Sequence, residues 1–487
     1  ATSGNVGIPG VTVELYDNVG TLVQTTTTNA SGQYDFAGMQ NGSYTVRVVN
    51  NSIRSTRPGG GSCATCLPVQ TYKTDYVAGT VVPDASLVGG NNPALTDPAA
   101  GILAGAQSTA AITINNEGSV GLDFGFNFNT IVNTNETGQG SLGQFIVNSN
   151  NLGEAGLDIE ANALFDPAAG EDLSVFMIPP TGDALGRPAD ASYAAGVFTI
   201  TITAGDLSDI TGTTTVIDGR TQTAYSGDSN AGTIGAGGSA VGVAATNLPN
   251  FQLPEIQLDK PNGEVFVNEG NGVVIRHLAM YADDKSAILM KDGSLTITGN
   301  LIGVNAIGAN SGAIVTGIEI EDGITVIDGN YIATHEDQGI LVDGGTSTTI
   351  RNNHITNNGI GACQPGVALN DGVGVVLQHN LIENSGGYGI DGSNISSPVT
   401  IDQNTITSSG SSGGGCLAGI VLGDDAAAIT GNVVFSNAGA GIVLINNSNG
   451  NLISQNSFYA NGTLVDALGI DLDDDGVTLN DNGDGDN

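Results

Sequence analysis

The chain contains no tryptophan, and lysine and arginine together number only 11 among 487 residues. Nucleic acids and anionic membrane surfaces are gripped chiefly by those two cations. Against 49 aspartates and glutamates the formal net charge is −38, so both classes of partner are set aside. No apolar run reaches the roughly 18 residues that a membrane-spanning helix needs. The chain opens at Ala1-Thr2-Ser3 with no charged-then-apolar leader, which is expected of a mature or excised segment. What is abundant is glycine, 74 residues without a Gly-X-Y period, which excludes collagen and signals many tight turns. Hydrophobic residues make up 39%, enough for a large core. A surface this acidic repels itself unless cations screen it, and divalent metal outside the cell is the simplest counterion.

The four cysteines are Cys63, Cys66, Cys363 and Cys416. Cys63 and Cys66 follow a Pro/Gly-rich loop with no βαβ pattern nearby, so a local disulfide is expected and a redox or zinc site is not. The even count suits an oxidising compartment.

Residues 1–130 read as short strands joined by turns. Residues 10–16 alternate at period two, Thr21–Thr28 is threonine-rich, and Gln33–Phe36 and Tyr44–Val49 follow. Asn29-Ala30-Ser31-Gly32 and Asn41-Gly42 are turn sequences. A small antiparallel β-sandwich is expected. The segments 7–16, 28–36 and 42–46 resemble the Cna-B/SdrD-type B modules, the stalk and spacer domains of bacterial surface adhesins. Gly121–Phe126 is similar to their closing strand, which makes residues 51–117 a long insertion. The resemblance implies an Ig-like or prealbumin-like sandwich on a cell-surface protein. Two departures stand out. No lysine precedes Lys73, so the Lys–Asn crosslink of many such modules is not expected. The usual opening strand ahead of Gly7, with its Asp-rich calcium turn, is also missing, so it was cut away or another chain supplies it.

A capping helix is expected at about 141–150. Ser141 and Gln144 make a capping box, and Leu142, Phe145 and Ile146 share one face. Thr130–Leu142 also resembles the opening segment of bacterial β-helix surface proteins. From there to residue 487 the chain reads as a right-handed parallel β-helix, with less regular strands at 173–178, 197–202, 214–217 and 255–258.

Regular rungs run from about 273 to 472. Their register is apolar-x-x-Asn-x-apolar, as in Ile297/Asn300/Ile302, and it repeats at Asn330, Asn353, Asn380, Asn404, Asn432 and Asn456. A Gly-apolar pair follows each asparagine, from Gly317-Ile318 to Gly469-Ile470. Steps of 20–30 residues mean stacked units, none able to bury its apolar face alone. Leucine-rich repeats are the rival at this period, but Ile and Val dominate and Gly/Asn turns separate the strands. Stacking at about 4.8 Å aligns equivalent residues into columns. Asparagine tolerates left-handed backbone angles and bonds the next rung, so the seven form a structural ladder without chemistry. Loops lengthen in alternate rungs and raise a ridge along one flank, where Cys363 and Cys416 would join in a disulfide.

The acidic segment 471–487 is the strongest metal motif. Asp471, Asp473 and Asp475 with Gly476 match the start of an EF-type calcium loop, but Asn482 stands where the bidentate glutamate belongs. Asp481, Asp484 and Asp486 follow, and structural calcium is the expected cation. Parallel β-helices also include pectate lyases and polygalacturonases, whose carboxylates lie on one outer face. Asp424 with Asp425, and Asp343, Asp371 and Asp391, are the candidates here. Scarce cations and absent tryptophan count against gripping an acidic sugar. His277, His335, His354 and His379 are dispersed and read as turn or surface residues.

The leading expectation is therefore a non-catalytic, extracellular subunit of a bacterial surface filament, sheath or layer, self-associating head to tail through strand donation. The alternative is an adhesin-like module of a larger surface protein, binding glycans or other surface proteins. A polysaccharide lyase or hydrolase is the second alternative.

Overall fold

The computed structural model describes residues 6–77, 80–84, 87–116, 121–159, 166–203, 205–310, 315–360, 363–423, 426–446, 448–472, 474 and 476. The chain is almost all β and divides into two compact units, Ala1–Thr201 with Gly212–Val216 and Arg220–Ser229, and Ile202–Thr211 with Ile217–Gly219 and Asn230–Asn487.

The first unit begins with an antiparallel sheet in the order Leu22–Thr27, Thr12–Asp17, Gly42–Val48, Ser108–Ile114. A second sheet runs Thr80–Asp84, Val69–Val77, Phe124–Asn127. Residues 51–117 thus supply strands to both sheets. Val13, Leu15, Val46, Val48, Ile53 and Ala110 form the core between them, with Tyr34, Phe36, Phe124 and Phe126 packed against it. Gln33–Phe36 is not a strand. Its two aromatic rings point to the core, and Tyr34 Oη donates to Leu122 O at 2.8 Å, so side-chain packing replaces ladder bonds. Arg47 is buried between Glu14 and Asp97, each 3.0 Å away, so the unit's deepest cation is neutralised twice.

Helix α1 spans Leu142–Asn151 and buries Leu142, Phe145 and Ile146. Only half of the expected capping box forms. Ser141 Oγ accepts the Gln144 N–H at 3.0 Å, but Gln144 Nε2 donates to Thr65 O and Asn148 Oδ1 instead of reaching back. Beyond α1 the pairing becomes parallel, Val175–Phe176 on Thr130–Ile131 and Asp172–Leu173 on Thr215–Val216.

The second unit winds through three parallel sheets in turn. Its first sheet carries Ile256–Lys260, Ala279–Ala282, Leu301–Ile302, Tyr331–Ala333, His354–Thr356, Leu381–Glu383, Thr405–Thr407, Val433–Phe435 and Ser457–Tyr459. Among the described residues the second has nine strands, from Phe266–Asn268 to Ile470–Leu472. The third runs from Val273–Arg276 to Leu452–Ser454. Register is strict. Ile275, Ile297, Ile327, Ile350, Leu377, Ile401, Ile429 and Ile453 stand in one column of the third sheet. Matching columns of Ile, Val and Leu line the other two. Each fully buried aliphatic contributes about 1.5–3 kcal/mol, which is what makes the stack cohere.

Residues 230–253 depart from this winding. They form an arm of two nested hairpin pairs, Thr233–Ile234 with Phe251–Gln252 and Ala240–Val241 with Thr246–Asn247.

Candidate functional site

The asparagine column is the most regular polar feature of the second unit. Asn300 sends both its N–H and its Nδ2 to Asn330 Oδ1, at 3.0 and 3.1 Å, and Nδ2 also reaches Ile275 O. The pattern repeats from Asn330 to Asn353, Asn353 to Asn380, Asn380 to Asn404, Asn404 to Asn432 and Asn432 to Asn456. All but Asn456 are fully buried. The expectation that these asparagines themselves adopt the left-handed conformation is corrected. The residue just before each takes it, as at Asn352 (φ 57°), His379 (φ 53°) and Gln403 (φ 54°). That residue makes the corner, which leaves the following asparagine to point inward. Backbone freedom and side-chain bonding are divided between neighbours.

A second polar ladder lies five residues further on, unforeseen in the sequence. His335 N and Nδ1 lie 3.2 and 2.7 Å from Asn358 Oδ1, and Asn437 N and Nδ2 donate to Asn461 Oδ1. Ser409 N donates to Asn437 Oδ1. His335 is fully buried, not a surface residue, and burial pushes its imidazole down to about 4. The recurring five-residue offset from Asn330, Asn353 and Asn432 was the available signal.

Two of the carboxylates considered for catalysis, Asp371 and Asp391, bond to turn N–H groups. Asp343 and Asp371 are register neighbours in the second sheet. Asp371 Oδ1 accepts Gly372 N–H and Asp391 Oδ1 accepts Ser393 N–H. Asp424 and Asp425 lie outside the described residues, as do Asp473, Asp475, Asp481, Asp484 and Asp486 of the calcium motif. Asp471 is buried, and its Oδ1 accepts Gly476 N–H at 3.2 Å. Among the described residues no three His, Cys, Asp or Glu side chains group as metal ligands. The cysteines pair as Cys63–Cys66 and Cys363–Cys416.

The last rung has the most distinctive surface. Among the described residues, Leu452–Ser454, Ser457–Tyr459 and Ile470–Leu472 each end their sheet. Ile470 and Leu472 continue the inward columns of Ile442 and Leu444, yet each is 38% exposed. Leu452 is 55% and Tyr459 51% exposed, and Tyr459 stacks on Phe435 at 4.7 Å between ring centroids.

Comparison with known proteins matches this architecture. An SdrD B-like domain model covers residues 1–65, a right handed beta helix region model covers 241–406, and a periplasmic copper-binding protein (NosD) model covers 362–470. Colossin-A of Dictyostelium discoideum is 58% identical over 41 residues, 8% of this chain and, to the nearest per cent, 0% of its own. Serine-aspartate repeat-containing protein F of Staphylococcus epidermidis is 60% identical over 40 residues, 8% of this chain and 2% of its own. This chain thus spans at most 2% of the length of these curated relatives. Among solved structures, pectate lyase Pel9A is 14% identical, with a TM-score of 0.30 over 49% of this chain and 72% of that one. Tailspike protein 2 from Escherichia coli O157:H7 bacteriophage CAB120 is 10% identical, with a TM-score of 0.32 over 56% of this chain and 36% of that one.

The copper-binding description does not fit the residues here. Between 362 and 470 the two cysteines are joined to each other, methionine is absent, and His379 is the sole histidine. Soft or imidazole ligands for copper are therefore too few. The chain is an SdrD B-like domain followed by right-handed β-helix repeats.

Proposed function

We propose that this protein is a non-catalytic structural subunit of an extracellular bacterial surface assembly, joined end to end through its β-helix rung at 452–472. The observation that carries this reading is the exposed apolar surface of the rung at 452–472. Among the described residues, one strand of this rung stands at the end of each of the three sheets, with core residues Ile470 and Leu472 part-exposed. A strand edge beside apolar surface is a template for another chain. The partner is a second copy of this chain, and the surface-protein character of the B-like domain supports an extracellular setting.

Calcium belongs to the proposal as the screening cation of the −38 chain, gathered by Asp471, Asp473, Asp475, Asp481, Asp484 and Asp486. Electron microscopy of the purified protein, with millimolar calcium and again with chelator, tests both parts. Regular fibres or sheets that loosen on chelation are the expected result. Isolated rods in both conditions would overturn the subunit reading in favour of an adhesin-like module.

A further inference from the structure

The arm at 230–253 lies along the outside of the first sheet and is tied to it by its own backbone. Asn230 anchors the base through Nδ2 bonds to Pro254 O and Ala306 O, each 2.8 Å. Further out, Ala236 N–H donates to His354 Nδ1 at 3.0 Å and Gly242 N–H to Thr405 Oγ1 at 3.0 Å. Val243 N–H donates to Gly431 O, and Ala244 N–H to Gln403 Oε1. The buried side chains of Val241, Leu248 and Phe251 complete the attachment. In a chain of such high charge, residues 230–253 contain no Asp, Glu, Lys, Arg or His. Any response of the arm to pH must therefore come from what it touches.

His354 is the titratable contact. Its ring is buried, with Nε2 2.9 Å from Glu383 Oε1. Nδ1 faces an N–H, which can only donate, so Nδ1 must hold a lone pair and Nε2 the proton. Among the described residues, Glu383 is the charged group bonded to the ring. The arm presents Gly235, Ala236 and Phe251, one neighbouring strand presents Tyr331, and another presents Glu383. Gly235 fits the close approach, since a Cβ there would stand 2.7 Å from Nδ1.

We propose that residues 230–253 are an acid-released arm, latched to the β-helix by neutral His354. A proton taken from solvent onto Nδ1 turns the acceptor into a donor aimed at another donor. Glu383 binds Nε2–H in both charge states, so the ring is held with Nδ1 toward Ala236 and does not turn away. The Ala236 N–H loses its acceptor, and the arm lifts from the outer column of Tyr331, His354 and Thr405. Glu383 gains from the imidazolium while the arm loses, so acid shifts the population of the arm and leaves the rungs in place.

Amide hydrogen exchange of the full chain at about pH 7.5 and pH 5, corrected for intrinsic rates, tests this. Losing one buried acceptor predicts that protection of amides 236–244 falls about ten-fold or more in acid. The acid loss at these amides should exceed that at the rung strands, where the burial of His335 lowers stability in acid as well. His354→Gln, which can accept without titrating, should keep the arm protected at both pH values, and Gly235→Ala should leave it unprotected at both. Wild-type protection that ignores pH, or an equal acid response in His354→Gln, would overturn the proposal. Should the glutamine fail to hold the arm at all, imidazole ¹⁵N shifts of the wild type decide. An Nε2–H tautomer at neutral pH, titrating together with arm exchange, supports the latch, whereas an Nδ1–H tautomer removes it.

Discussion

Asn380 Oδ1 takes both the backbone N–H and the side-chain Nδ2–H of Asn353, each at 3.0 Å. One carboxamide oxygen thus satisfies two donors of the rung before it, while its own nitrogen serves Asn404 and Ile350 O. Asn380→Ala removes these bonds and leaves two donors of a fully buried neighbour without an acceptor. Each buried group left unsatisfied costs about 1–3 kcal/mol, so the variant should lose about 3 kcal/mol or more. Asn456→Ala, at the part-buried end of the column, should lose less, because water can replace the missing acceptor for Asn432. Denaturant unfolding of the two variants checks the order. Equal losses would mean that the column does not act through burial.

His335 makes stability depend on pH. Its folded value of about 4 lies below the ordinary 6.5, because burial disfavours the charged ring. Between those values the unfolded chain takes a proton that the folded chain refuses. Stability is therefore whole above pH 6.5, falls as the pH drops, and levels off near 4. The loss from this one group is at most about 3 kcal/mol. His335→Asn places in this rung the residue type found at 358, 437 and 461, and should flatten that part of the profile. Melting temperature followed from pH 7 to pH 4 in both proteins is the measurement.

These two ladders show what a sequence reveals of such a fold. The first was legible because a carboxamide that must both accept from one rung and donate to the next admits only asparagine, so the letter recurs. The second holds His335, Asn358, Ser409, Asn437 and Asn461 in equivalent places, and a search for one residue type passes over it. The arm was illegible for the opposite reason. Its Gly- and Ala-rich residues carry no period, since its attachment runs through backbone N–H groups, which every residue type but proline supplies. Gln33–Phe36 alternates like a strand, yet its rings are spent on the core. The sequence pattern reports which side chains are buried, not which backbone groups find a partner.

The two disulfides should differ in weight. Cys363–Cys416 closes 53 residues of sequence, and Cys63–Cys66 closes three. In the chain-entropy view a loop of the larger size restricts the unfolded ensemble by about 4 kcal/mol, and a very short loop by much less. Paired Ser substitution at 363 and 416 should therefore lower the denaturation midpoint clearly, and at 63 and 66 only slightly. Comparing both variants with the wild type, under oxidising conditions and again with reductant, separates the contributions. A larger effect from the short loop would place the stabilisation in native packing around Cys66, Cys63 and Leu152.

The last rung offers the sharpest test of end-to-end association. Leu452 lies on its edge strand and is more than half exposed, so replacing it sacrifices little packing. Leu452→Lys sets a charge on the strand that ends the third sheet among the described residues, a substitution of the kind that guards edge strands against strand addition. The folded monomer should melt within about 0.5 kcal/mol of wild type, as surface substitutions generally do. Sedimentation in millimolar calcium should then show wild-type polymer and variant monomer. Lysine at Val274, on the outward face of the same sheet but inside the stack, keeps the added charge while leaving the edge intact, and should assemble as wild type does. If both variants assemble normally, the joint does not run through this rung, and the exposed Ile470, Leu472 and Tyr459 would need another explanation.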